Sequence, residues 1–156
     1  MNSSNQTSSN LSATPNFLLR QSTPNVTMLT LASDPSNIAL VSQFVDKVTQ
    51  KYRLSDDLQG TLMISLTEAV NNAIIHGNQL DPSKQVDIQL QRSKNKLRIK
   101  VSDQGNGFDH TSLPDPTCPE HICNCGGRGV YLMNELCEKM EYANGGSTVM
   151  MQFSVQ

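Results

Sequence analysis

Residues 86–107 read VDIQLQRSKNKLRIKVSDQGNG, and this stretch decides the fold. Val86, Ile88 and Leu90 alternate with Asp87, Gln89 and Gln91, and Leu97, Ile99 and Val101 repeat the pattern after a turn at residues 93–96. A two-residue period sends successive side chains to opposite faces, so the run predicts an antiparallel hairpin with one apolar face. Asp103 keeps the inward parity of Leu97, Ile99 and Val101, which sets a carboxylate at the end of the buried row. Gly105 and Gly107 follow at once, where glycines permit a sharp turn and close approach of the backbone to a ligand. The plainer alternative is a turn-capping aspartate with turn glycines.

Upstream, the spacing predicts a helix over residues 56–76, opened by Ser55 and closed by Gly77-Asn78. At about 100° per residue, Leu58, Leu62, Leu66, Ala69, Val70, Ala73 and Ile74 form its apolar face, and Thr67 and Asn71 lie on the polar side. Glu68 and Asn72, four residues apart and so on one stripe, belong to neither. Ile64 and Ile75 flank them on one edge and the main apolar face on the other. A carboxylate among apolar neighbours is costly unless it is paired, protonated or bound to a cation. A boundary residue that reaches water is the competing reading. Still earlier, residues 26–31 alternate like a strand. Ser33 or Asp34 before Pro35 then caps a helix that carries Ile38, Val41, Phe44, Val45 and Val48 as far as about Tyr52.

Downstream, residues 104–128 carry Pro114, Pro116 and Pro119 and no periodicity, the mark of a functional or disordered loop. Gly126-Gly127-Arg128-Gly129 stands at the mouth of a short helix over residues 129–137. Free N–H groups and the helix dipole suit phosphate there, and a flexible hinge is the alternative. Met140 and Tyr142 lead through Asn144-Gly145-Gly146 into Val149, Met151, Phe153 and Val155, a second hairpin. The sum is an α+β fold, a two-layer sandwich whose mostly antiparallel sheet is covered on one face by helices. Two common phosphate motifs are excluded. The chain has no Gly-x4-Gly-Lys-Ser/Thr loop, and His110 stands where a dinucleotide fingerprint needs its third glycine.

Composition bounds the rest. Of 156 residues, 37% are hydrophobic, below the globular norm, and the deficit sits at the N-terminus. Nine of the first ten residues are Asn, Ser, Gln or Thr, and Arg20 is the only charge before Asp34. Residues 1–25 therefore read as a disordered polar tail, with Phe17, Leu18 and Leu19 as a weak docking spot, and residues 26–156 as the folded domain. A net charge of −2 gives no basic field for direct nucleic-acid binding. No apolar run nears the ~18 residues of a membrane span, and no secretory signal opens the chain, so the expectation is a cytoplasmic protein without membrane contact. Four cysteines fit a reducing compartment.

The three anomalous stretches resemble the boxes of the GHKL superfamily of ATP-binding domains. Glu68-Ala69-Val70-Asn71-Asn72-Ala73 with His76-Gly77 looks like its N box, Asp103-Gln104-Gly105-Asn106-Gly107 like its G1 box, and Gly126-Gly127-Arg128-Gly129 like its G2 box. The His-Gly ending, the short chain and the hairpin at Gly145-Gly146-Ser147-Thr148-Val149 bring it nearest the bacterial anti-sigma factor serine kinases. The similarity spans about residues 26–156. It implies the Bergerat ATP-binding fold, with ATP and Mg2+ as cofactors. Asp103 would bond the adenine amine, Gly105 and Gly107 would make room for the base, and Asn72 would hold Mg2+. Glu68 would be the general base, and Gly126, Gly127, Arg128 and Gly129 would meet phosphate beneath a lid at residues 109–128. His76 belongs to the same nucleotide-binding set, although its position also suits a packing or capping histidine. Arg128 suits either phosphate or an acidic partner.

The implied activity is an ATP-dependent serine/threonine kinase acting as an anti-sigma factor. It would phosphorylate a small anti-sigma-factor antagonist and sequester a sigma factor, with a homodimer expected from related regulators. A non-catalytic ATP-binding switch is the alternative. A histidine-kinase catalytic half fits poorly, because one helix and a tail leave no room for a phosphoacceptor hairpin before the N box. The lid departs from the family pattern: Cys118, His121, Cys123 and Cys125 lie in it, with Cys137 on the next helix. Cysteine and histidine are zinc ligands, but these spacings match no standard Cys-x2-Cys pair, and redox sensitivity is the other reading.

Overall fold

A computed structural model describes residues 17–107, 109 and 125–155. Among the described residues six strands form one antiparallel sheet: β1 (Phe17–Thr23), β2 (Val26–Ala32), β3 (Gln85–Ser93), β4 (Lys96–Ser102), β5 (Lys139–Ala143) and β6 (Thr148–Ser154). Their spatial order is β1-β2-β3-β4-β6-β5. The helices are α1 (Ile38–Tyr52), α2 (Asp56–Asn72) and α3 (Cys125–Leu136). This is the expected α+β fold.

The hairpin that opened the reading lies at the centre of the sheet, and its parity sets the core. Leu29 faces Ile88, Ile88 faces Val101, and Val101 faces Val149, so one apolar row crosses four strands. Leu90, Ile99 and Met151 form the next row. Val41, Phe44, Val45 and Val48 of α1 and Leu62, Leu66, Ala69 and Val70 of α2 close over these rows as one buried cluster. Met133 of α3 joins them. The sheet's other face carries Gln89, Gln91, Arg98, Lys100 and Gln152, as alternation requires.

The caps follow the sequence. Asp34 accepts from Ser36 N–H before a 3-10 turn, Pro35–Asn37, that leads into α1. Ser55 Oγ accepts from Leu58 N–H at the start of α2.

Three expectations change. Residues 17–23, assigned to the polar tail, form strand β1 against β2, with Leu19 opposite Leu29 and packed on the core. Main-chain pairing to an open strand edge, with one leucine covered, outweighs the local composition there. Residues 1–16 lie outside the described residues. The short helix begins at Cys125 rather than Gly129, so the four residues 126–129 lie in its first turn. The Asn144-Gly145-Gly146 reversal is a 3-10 turn in which all three residues have positive φ, 52°, 66° and 96°. That left-handed run explains the two glycines.

Candidate functional site

The long helix does not end as an ordinary α-helix. Past Asn72 it widens into a π-helical turn, Ala73–Gly77, in which Asn78 N–H reaches Ala73 C=O at 2.7 Å. Such a widening inserts a residue into the helical register and is often found at functional sites. It carries Gly77 against the end of β4. A β-carbon on Gly77 would lie 2.3 Å from Asp103 Cγ, and one on Gly105 would lie 2.0 Å from Gly77 O. The Asp103 carboxylate therefore sits in a cradle that only glycine leaves open. Gly105 N–H donates to Asp103 Oδ1 at 2.8 Å. Burial pushes the Asp103 carboxyl up, while the Gly105 N–H and the nearby Lys84 charge pull it back.

Gly107 has φ 77°, and a β-carbon there would lie 2.0 Å from Gly145 O. Its missing side chain thus makes room for the β5–β6 turn, as that of Gly105 does for the end of the helix. The space both glycines leave is taken by main chain.

One turn before the widening, Glu68 and Asn72 share a half-buried stripe on α2. The first turn of α3 packs onto it: a β-carbon on the buried Gly129 would lie 2.3 Å from Glu68 Oε2 and 3.8 Å from Asn72 Nδ2. Two of the predicted boxes therefore meet at Glu68–Asn72 and Gly129, and the third meets the end of the same helix at Gly77–Asp103. Arg128 is exposed beside Gly129. His76 is exposed on the π turn rather than packed, directly before Gly77. Gly126 and Gly127 lie in the first turn of α3. The lid cysteines Cys118 and Cys123, with His121, lie outside the described residues.

Between the two junctions is a cavity of about 30 Å³ lined by Asn72, Gly77, Asp103, Met133, Tyr142 and Ser147, among others. Burial pushes the Tyr142 phenol up to about 12, so it stays neutral. A larger hollow of about 360 Å³ lies on the open face of the sheet, among Gln89, Arg98, Lys100 and Glu141. It has no glycine cradle and no half-buried carboxylate, unlike the smaller space. Ligand pockets usually run from about 300 Å³ upwards, well above the size of this space.

Sequence reasoning missed two residues. Gly77 entered only as part of a motif and a helix stop, yet its bare Cα is what admits Asp103. Asn78, read with it as a stop signal, is fully buried. Helical periodicity cannot reveal either, because their partners lie just past the end of β4 and at the start of β3.

Among the described residues no helix is long and apolar enough to cross a membrane. A family model described as a histidine kinase-like ATPase domain matches residues 31–153. A protein named serine-protein kinase RsbW from Bacillus licheniformis is 30% identical over 124 residues, covering 75% of this chain and 78% of that protein. Its namesake in Bacillus subtilis (strain 168) is 27% identical over 126 residues, 76% and 79% of the two chains. The one in Listeria innocua is 23% identical over 133 residues, 80% and 85%.

Proposed function

This chain belongs to the histidine kinase-like ATPase domain family, and from that premise we propose that it is an ATP-dependent serine/threonine protein kinase of the anti-sigma factor type. Its substrate is a small anti-sigma-factor antagonist, and the unphosphorylated antagonist releases a sigma factor that the kinase otherwise holds. It works in the cytoplasm as a homodimer, with no nucleic acid or membrane contact of its own. The names of its relatives support the kinase reading. The observation that carries it is the meeting of Glu68, Asn72 and Gly129 on one side of α2 and Gly77 with Asp103 at its end.

In this reading Asp103 accepts the amine of adenine through Oδ2, since Oδ1 already accepts from Gly105. The N–H groups of Gly126 and Gly127 in the first turn of α3 are left without helical partners and donate to phosphate, with Arg128 beside them, whereas Gly129 N–H is already used within the helix. The donor set fits Mg2+: Asn72 offers a hard amide oxygen one turn from the Glu68 carboxylate. Among the described residues no three His, Cys, Asp or Glu side chains cluster around a metal position. When bound, the ion neutralises phosphate charge. Glu68 takes the proton of the partner's serine or threonine hydroxyl as its oxygen bonds to the γ-phosphorus and ADP leaves. His76, exposed, is left to the rim of the site.

A second reading, a nucleotide-dependent switch without transfer, draws support from the closeness of α3 to Glu68 Oε2, which keeps that carboxylate half-covered. One experiment separates the two: transfer of labelled phosphate from ATP to candidate antagonists, with ATP binding measured in parallel. Glu68→Ala is expected to bind ATP but lose about 10²–10⁴-fold in transfer. Asp103→Asn is expected to lose binding. A wild type that binds but transfers nothing, matched by Glu68→Ala, leaves the switch reading, and a wild type that does not bind ATP ends both.

A further inference from the structure

We infer that Asn78 is a positioning residue that holds Asp103 in the orientation with which it reads the base. The inference rests on the ATP-site reading above. Asn78 is 0% exposed, and both ends of its amide are used. Nδ2 donates to Gln85 C=O at 2.9 Å, and Oδ1 accepts from Gln104 N–H at 2.8 Å. A buried amide costs free energy unless satisfied in this way, and a helix stop alone does not require one.

The second bond is the important one, because Gln104 N–H belongs to the peptide that follows Asp103. The N–H of Asp103 itself donates to Ser147 C=O at 2.9 Å. Both peptide planes flanking Asp103 are therefore pinned, one by the β5–β6 turn and one by Asn78. With Gly77 against the carboxylate and Gly105 N–H on Oδ1, little freedom is left to the side chain. Gln104 returns the link, its Oε1 accepting from Gln85 N–H at 2.7 Å, but that side chain is exposed and water can replace it. Asn78, by contrast, is fully buried, and removing its amide takes away the protein partner of both Gln104 N–H and Gln85 C=O. A single side chain thus ties the widened end of α2, the first residue of β3 and the carboxylate loop into one unit.

The test is the ratio of affinities for Mg-ATP and Mg-inosine triphosphate, which carries an oxo group where adenine has its amine. Calorimetry would run well below the melting temperature of each variant. Asn78→Ala is expected to weaken ATP about tenfold and to shrink the preference for ATP over inosine triphosphate by a similar factor. Gln104→Ala, which keeps its own N–H, is expected to change the ratio less than about twofold. If Asn78→Ala does not fold, Asn78→Ser carries the same comparison. A lowered melting temperature with a wild-type ratio would make Asn78 a packing residue and overturn the inference, with the ATP site intact. A wild type that binds neither nucleotide overturns the ATP-site reading and this inference together.

Discussion

Asp103 is the residue at which folding and the proposed chemistry pull in opposite directions. Its cradle holds the carboxylate partly out of water, and desolvation raises its pKa above 3.8. The folded protein therefore keeps this proton to higher pH than the unfolded chain does. The stability that goes with the protonated form is complete below pH 3.8 and is lost as pH rises through the folded value. Asn in its place accepts from Gly105 without the charge. The melting temperature of Asp103→Asn relative to wild type is expected to be flat below pH 3.8, to rise in the variant's favour above it, and then to level off. Melting curves from pH 3 to 8 check this, and a difference that does not vary with pH would contradict it. Strand parity alone made the inward aspartate legible. What it meets was not legible, because Gly77 and Asn78 reach it through a helix register that no two-residue or 3.6-residue period contains.

Among the elements, α2 carries the most. Its apolar face, its Ser55 cap and the Glu68–Asn72 stripe follow from spacing and are found as expected. Asp56 and Asp57 in the first turn complement the positive end of the helix dipole. Removing the cap hydroxyl leaves one N–H for water alone. Ser55→Ala is expected to cost about 1 kcal/mol. That lowers the melting temperature by about 2–4 °C with ATP affinity unchanged, since the cap is far from Asp103. A loss of affinity as large as that of Asn78→Ala would show that α2 moves as a whole. The π turn was the illegible part of this element, since residues 73–77 look helical by composition and only the packing against β4 decides how wide the last turn becomes. The start of α3 was illegible for a similar reason: glycines disfavour helix in isolation, but Gly129 lies where Glu68 permits nothing larger.

For the whole molecule, the central hairpin fixed which face of the sheet is buried, and the two-layer arrangement followed from that. The far edge did not follow, because β1 (FLLRQST) has no clean alternation and its neighbours are polar. Its place is set by main-chain pairing with β2, a long-range fact. A chain starting at Val26 is expected to melt lower by about 3 °C or more, through lost burial of the half-covered Leu19 and the lost ladder. Light scattering should also show that it grows into assemblies larger than those of the intact chain at equal concentration. Equal melting and equal scattering would mean that β1 contributes nothing to the fold. The reason lies in what the cut uncovers: VTMLTLA, seven residues without a charge or a proline, is the kind of strand that recruits copies of itself. An experimenter who trims this protein where its asparagine- and serine-rich composition gives way would be cutting into load already shared by the sheet. The border of the domain has to be drawn by hydrogen bonding rather than by residue type.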